Sequence, residues 1–202
     1  MEKTGKELQL EIRKLDWNDL ERLFTKRKDQ EIRDEWGEGK FFEYAIIRAF
    51  ELEGADVRYS YNVPFFQLDK DNRIVEQIDG VVYIDGLTAV IESKDYSSKN
   101  NVDIEPLAKL QVRLKRRPPQ VIGCLFTASD FTWPAQALIE TLMPQTILLW
   151  NKNDIEHCFK YHCFINGLKL KYKSVVEDCN HILDLSTVAL ITNNKKLTGK
   201  PQ

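Results

Sequence analysis

The chain has 202 residues, 43% hydrophobic and 30% charged, which suits one globular domain with an appended segment better than two full domains. Its net charge of −2, from 29 Lys plus Arg against 31 Asp plus Glu, neither announces nor excludes nucleic acid, because phosphate binding needs a local basic face rather than a basic total. No apolar run approaches the roughly 18 residues of a membrane span, the charged N-terminus reads as no secretory signal, and the four irregularly spaced cysteines read as thiols of a reducing cytoplasm rather than as a disulfide framework.

Residues 7–35 are dense in charge. Asp16-Trp17-Asn18-Asp19 reads as an N-cap, and Leu20, Leu23 and Phe24 follow at helical spacing, which predicts an amphipathic helix over 18–34 ending near Gly37 and Gly39. A second helix is predicted over 40–53, with Phe41, Ala45, Ile46, Ala49 and Phe50 on its apolar face and Gly54 just past its end. Strand-like segments follow at 57–63, 73–83 and 87–96, the last two joined by Asp85-Gly86 as a type I′ turn. Helical spacing resumes over 103–117 and stops at Pro118-Pro119. Residues 121–127 form a continuous apolar run, as in a strand buried on both faces. Helix signals at 134–143, strand signals at 146–150 and helix signals at 154–164 come next. A strand or short helix within 166–192 and a solvated tail over 193–202 close the chain. The order helix, three strands, helix, strand, helix, strand predicts an α/β domain with a mixed sheet.

Three strings carry chemistry: Phe42-Glu43, Ile78-Asp79-Gly80 and Ile91-Glu92-Ser93-Lys94. The turn at Asp85-Gly86 folds two strands antiparallel, so Asp79, near the start of one, meets Glu92 and Lys94, near the end of the next. Glu92 and Lys94 are two apart and share a sheet face, while Ser93 points to the other. Val81, Val90 and Ile91 are apolar, so the charges sit at the edge of a buried sheet. Two carboxylates so placed repel unless a cation lies between them or one takes up a proton. Oxygen donors with room for water suit Mg2+ or Mn2+ rather than Zn2+, and the Ser93 carbonyl is a further available ligand. The plainer alternative makes Asp79, Glu92 and Lys94 polar edge residues that discourage aggregation, and Glu43 an exposed helix carboxylate.

Asp79 followed 13 residues later by Glu92-x-Lys94 resembles the motif core of the PD-(D/E)xK nuclease superfamily, with Ile78 in place of the nominal proline. Gly39-Lys40-Phe41-Phe42-Glu43, then Gly54 and Val57, is similar to the opening helix and first strand of the Mrr-type restriction endonuclease domain. Leu125-Phe126-Thr127-Ala128-Ser129-Asp130-Phe131-Thr132 with Ala135 and Ala137 resembles its later strand, turn and helix. Ile147-Leu148-Leu149-Trp150-Asn151 leading to Ile155 resembles its last strand and helix, so the likeness covers about residues 39–160 in order.

The resemblance implies a restriction-endonuclease-like fold, a central mixed β-sheet flanked by helices with an αβββαβ core, over residues 39–165. Residues 1–38 become a helical N-terminal extension, and 166–202 a C-terminal extension and tail. The implied activity is a Mg2+- or Mn2+-dependent deoxyribonuclease of restriction and defence, or a repair or junction-resolving nuclease on the same scaffold. Asp79 and Glu92, with the Ser93 carbonyl and Glu43, would hold the metal. Lys94 would orient or deprotonate the attacking water and offset charge on the phosphate. Glu92-Ser93-Lys94 departs from the Gln-x-Lys of many Mrr-type members, which weakens any transfer of a preference for methylated DNA. A catalytically silent module that binds nucleic acid or recruits a partner is the alternative from another class, and the joint presence of Asp79, Glu92 and Lys94 argues against it. DNA is the implied partner, a homodimer would bring two sites to two strands, and a separate subunit could supply targeting. No membrane association is implied.

Residues outside this motif each carry two readings. Lys109, Gln111, Lys115, Arg116 and Arg117, on the helix over 103–117 that also holds Arg113, are candidates for a basic wall against DNA phosphates or for a solvated face whose C-terminal cations favour the helix dipole. Lys109 and Gln111 are also candidates for a position beside the active site. Cys158 and His162 have i, i+4 spacing that can hold Zn2+, against the alternative that His157, Cys158, Cys163, Cys179 and His181 are ordinary core or surface residues. Trp17, Trp36, Trp133 and Trp150 read as core or interface residues. Lys26-Arg27-Lys28 reads as a DNA-contacting or dimerising segment, or as a solvated face.

Overall fold

In the computed structural model, which describes residues 4–64, 74–96, 100–141 and 145–188, the strand-like segments pair into one five-stranded sheet. Its strands are β1 (Asp56–Pro64), β2 (Ile74–Ile84), β3 (Leu87–Lys94), β4 (Val121–Thr127) and β5 (Ile147–Trp150), in spatial order β1-β2-β3-β4-β5. β1, β2 and β3 form an antiparallel meander, whereas β3, β4 and β5 run parallel. Parallel neighbours need crossover connections, and these are α5 (Ile104–Lys115) between β3 and β4 and α6 (Trp133–Ile139) between β4 and β5. The sheet is therefore mixed, and the apolar run over 121–127 lies in its buried interior.

Two cores form because each sheet face must bury its own set of alternating residues. On one face α4 (Lys40–Leu52) lays Phe42, Ala45, Ile46, Ala49 and Phe50 against Ala89, Ile91, Cys124 and Phe126. The same core takes in α1 (Gly5–Ile12), α2 (Trp17–Thr25) and α3 (Gln30–Trp36) through Leu8, Ile12, Leu20, Phe24, Ile32 and Trp36. It also takes in α7 (Lys152–Tyr161) and α8 (Phe164–Asp178) through Ile155, Phe159, Phe164 and Leu168. On the other face Leu107, Leu110 and Leu114 of α5 and Ala135 and Ile139 of α6 cover Val81, Val90, Leu125 and Leu149. Among the described residues no helix is long and apolar enough to cross a membrane.

Several local expectations need correction. The single helix over 18–34 is two, α2 and α3, separated by the turn in which Arg27 donates to the Phe24 carbonyl at 2.9 Å. Arg27 turns inward because Asp95, just past β3, faces it: Arg27 Nε lies 3.3 Å and Lys28 Nζ 2.7 Å from Asp95 Oδ1. The guanidinium also stands 4.2 Å over the Phe24 ring. Arg27 is thus part of the packing, while Lys28, still exposed, pairs with the same carboxylate from the surface. The β2–β3 turn is not type I′, since that turn needs positive φ at both central residues and Gly86 alone adopts it, at 80°. The segment read as a strand or short helix within 166–192 holds most of the 15-residue α8, which begins at Phe164. The charged start of the chain holds the further helix α1, begun by a Thr4–Glu7 capping box. The tail over 193–202 and part of the segment expected at 134–143 lie outside the described residues.

The C-terminal segment is tied down by a buried ion pair. Lys171, 1% exposed, places Nζ 2.8 Å from Asp154 Oδ2 and donates to the Leu183 carbonyl, while Asp154 Oδ1 accepts the Leu185 N–H at 2.8 Å. Burial depresses the lysine's pKa and raises the aspartate's, so each charge is held chiefly by the other.

Gly80 controls how closely α4 approaches the sheet. A Cβ there would lie 2.4 Å from Ile47 Cδ1 and 3.1 Å from the Arg58 carbonyl. Gly80→Ala is expected to lower unfolding free energy by about 1–3 kcal/mol, the usual cost of overpacking, as read from the guanidinium midpoint. Arg27→Ala is expected to cost about 1–2 kcal/mol, because Asp95, only 9% exposed at its side chain, loses one of its two cations. An unchanged midpoint for Arg27→Ala would mean that Lys28 alone holds the carboxylate.

Candidate active site

The β2–β3 hairpin brings the sequence-predicted carboxylates together. Gly80 pairs with Ile91 at the open end of the antiparallel ladder, so Asp79 and Glu92 lie directly beyond its last pair on adjacent strands. Both are buried, Asp79 at 7% and Glu92 at 3% exposure. The Ser93 N–H donates to Asp79 Oδ2 at 2.8 Å, which ties the end of β3 to β2. Lys94 Nζ donates to Glu92 Oε1 at 2.8 Å, and the second oxygen of Glu92 accepts from Arg113 Nη1 of α5. Glu43, in the first turn of α4, is bound by Lys40 Nζ at 2.5 Å. Among the described residues the buried Ser93 hydroxyl finds no hydrogen-bond partner.

Electrostatics follow from crowding anions into an apolar setting. Burial first, then the neighbouring Glu92 and Glu43, pushes the Asp79 pKa up to about 7, against the Ser93 N–H and Lys94, which favour its charge. Burial likewise raises Glu43, with Lys40 opposing the shift. Burial works against the charge on Lys94, yet Glu92 and then Asp79 outweigh it and hold the ammonium above its ordinary value. Lys40 is raised in the same way by Glu43, with a smaller contribution from Asp79. Among the described residues, no three His, Cys, Asp or Glu side chains converge closely enough to hold a metal by themselves. A cation here would therefore take two carboxylates and complete its shell with backbone carbonyl and water, a donor set that suits Mg2+ or Mn2+. The raised Asp79 fits such an ion, since a divalent charge between the carboxylates would relieve their repulsion.

The remaining sequence candidates divide. Lys109 is exposed and pairs with Glu105 one turn away at 2.6 Å, Gln111 is half-buried, and Lys115 is exposed. Arg116 and Arg117 grip the buried Glu76 of β2 at 2.7 and 2.9 Å, so their first role is to satisfy an internal carboxylate. Sequence reasoning missed Lys40 and passed over Arg113. Lys40 stands three residues before Glu43, and Lys109, Arg113 and Arg116 recur at i, i+4, i+7, so helical spacing carried both signals. The cysteine and histidine cluster has a structural explanation: Cys158 Sγ reaches the Cys163 carbonyl at 3.7 Å, and His162 stacks on Trp17 at 4.1 Å and bonds Glu21 at 2.7 Å. Trp36 and Trp150 are core residues, whereas Trp133 is 78% exposed.

The family model described as "Restriction endonuclease", of the Mrr catalytic type, matches residues 36–159. No curated protein matches the sequence significantly. Among solved structures, the small subunit R.BspD6I2 of the heterodimeric restriction endonuclease R.BspD6I aligns with a TM-score of 0.50 at 15% identity, over 81% of this chain and 91% of that one. The DNA modification-dependent restriction endonuclease AspBHI aligns at 0.41 and 13% identity, over 87% of this chain and 43% of its own. Protein VC1899 from Vibrio cholerae aligns at 0.47 and 17%, over 67% of this chain and 36% of its own. The chain thus spans less than half the length of the latter two. With a mixed sheet flanked by helices and a family match over most of its length, the chain belongs to the Mrr-type restriction endonuclease family and has the restriction-endonuclease-like fold of the PD-(D/E)xK nucleases.

Proposed function

We propose that the protein is a divalent-metal-dependent endonuclease that hydrolyses DNA phosphodiester bonds in defence against foreign DNA. The observation that carries this reading is the pair of buried carboxylates, Asp79 and Glu92, on adjacent strands with Lys94 on the same face. Asp79, Glu92 and the Ser93 carbonyl would hold Mg2+ or Mn2+, with Glu43 reaching the site from α4. When bound, the metal supplies Lewis-acid polarisation of the phosphate and lowers the pKa of attacking water.

The chain's own groups do the rest. Lys94, held protonated beside Glu92, faces the place where charge develops on the phosphate and offsets it electrostatically. The Ser93 N–H fixes which oxygen of Asp79 is free to point outward. Arg113 and Lys40 hold Glu92 and Glu43 in place until substrate arrives. Lys109, Gln111 and Lys115 provide polar and cationic contacts for the backbone on the α5 side. A second copy of the chain, or a separate targeting subunit, would bring a second site to the opposite strand.

Supercoiled plasmid, methylated and unmethylated, incubated with Mg2+, Mn2+ or EDTA tests the activity. Metal-dependent nicking is expected, and alanine at Asp79, Glu92 or Lys94 should lower the rate by about a thousandfold, roughly 4 kcal/mol in the barrier. Wild-type cleavage in EDTA, or full activity in Lys94→Ala, would remove the metal or that lysine from the mechanism. Absence of both cleavage and metal binding by calorimetry would favour a silent binding module.

The raised Asp79 pKa adds a pH dependence. Its folded value of about 7 lies above its unfolded value near 4, so the native state binds more protons across that window. Stability of the metal-free protein should therefore fall as pH rises from about 4 to 7. Asp79→Asn should flatten that slope, and Mg2+ should raise the melting temperature at pH 8 more than at pH 5, where Asp79 is protonated. Equal Mg2+ stabilisation at both pH values would show that Asp79 is not a ligand.

A further inference from the structure

Beside the carboxylate pair, β2 and α5 leave a groove of about 550 Å3 lined by Glu76, Gln77, Ala108, Lys109, Val112 and Arg113, among others. Three observations join it to the site. Arg113 both lines the groove and contacts Glu92. Glu105, also on its rim, lies within the electrostatic reach of Lys94. Lys109, Arg113 and Arg116 recur at i, i+4, i+7 and so run along one face of α5.

Three cations, Lys109, Arg113 and Arg116, line the groove against two carboxylates, Glu76 and Glu105. Glu76 is buried and offset by both Arg116 and Arg117, and Glu105 is paired with Lys109, so neither carboxylate stands alone against an approaching phosphate. The wall between these charges is apolar. Val112 is 58% exposed, an unusual exposure for a β-branched aliphatic residue on a helix that packs a core on its other side, and Ala108 lies one turn before it. A volume of this size falls within the roughly 300–1,000 Å3 of pockets that enclose small organic ligands.

We propose that this groove is a nucleotide subsite, which holds the sugar and base of the residue next to the scissile phosphate against Ala108 and Val112. The flanking phosphate meets Lys109 and Arg116. The proposal rests on the nuclease reading above and deepens it. Because the wall is aliphatic and every base has an apolar face, the subsite positions the strand without reading its sequence. Arg113 marks the boundary between the subsite and the carboxylate pair, so a nucleotide seated there places its next phosphodiester at Asp79, Glu92 and Lys94.

The test uses a fluorescein-labelled duplex with Ca2+ in place of Mg2+ and compares Lys94→Ala with the double variant Lys94→Ala/Val112→Trp by anisotropy. Indole would fill the groove, and Kd is expected to rise tenfold or more. Val112→Gln in the same background removes the apolar wall without bulk and is expected to raise Kd about threefold, which covers the case in which the tryptophan variant fails to fold. Duplexes carrying 4-thiothymidine around the cleavage point should photocross-link to residues 105–116. Tight binding by Lys94→Ala, unchanged within twofold in both Val112 variants and with cross-links elsewhere, would overturn the subsite and leave the nuclease reading standing. If wild type neither cuts plasmid nor binds the duplex, the nuclease reading falls and the subsite with it.

Discussion

The constraint on which the rest of the site depends is the burial of two carboxylates side by side at the open end of the β2–β3 hairpin. Water is largely excluded there, so each charge needs a compensating group nearby or a proton. Glu92 receives two cations, Lys94 from its own strand and Arg113 from α5. Among the described residues Asp79 accepts a hydrogen bond from the Ser93 N–H and pairs with no cation at contact distance, and it is the group whose pKa climbs to about 7. The asymmetry divides the pair into one carboxylate that is satisfied internally and one that is left wanting positive charge.

Satisfying these charges determines how the surrounding elements pack. α4 can lie close beside Asp79 because Gly80 offers no side chain, and that approach brings Glu43 and Lys40 to the same corner. α5 is held to β2 by Arg116 and Arg117 on Glu76, which sets the helix at the height where Arg113 reaches Glu92. The N-terminal segment, mostly outside the matched family region, contributes Arg27 and Lys28 of the α2–α3 turn to Asp95, the residue after Lys94. The end of β3 is thereby fixed from three sides: by β2, by α5 and by the N-terminal segment. Such redundancy is expected where a few side chains must be held within a fraction of an ångström for chemistry.

Much of this was legible from local pattern. The hairpin at Asp85-Gly86, the two-residue spacing of Glu92 and Lys94 and the uninterrupted apolar run over 121–127 each depend on neighbours close in the chain, so the sheet and its carboxylate pair could be read before any packing was known. Less legible were features set by distant partners. The break between α2 and α3 reflects Arg27 turning toward Asp95, 68 residues away. The length of α8 reflects burial of Phe164, Leu168 and Val175 in the core shared with α4 and α7, a demand that propensity does not encode. The type of the hairpin turn also escaped, because a glycine at the second position serves more than one turn geometry.

The sequence by itself determined the αβββαβ order, the mixed sheet, and the meeting of Asp79 with Glu92 and Lys94. Strand periodicity and a short turn leave an antiparallel hairpin few registers that keep apolar residues on the buried faces. Only the tertiary structure decided which cations answer those carboxylates. Arg113, Arg116 and Arg117 look alike in the chain, and packing sends the first to Glu92 and the other two to Glu76. It likewise decided that Lys40 partners Glu43, and that α5 and β2 leave an apolar groove open beside the pair. The physical reason is range: periodicity acts over a few residues, whereas charge compensation in a buried site is satisfied by whichever side chain the fold carries within hydrogen-bond reach.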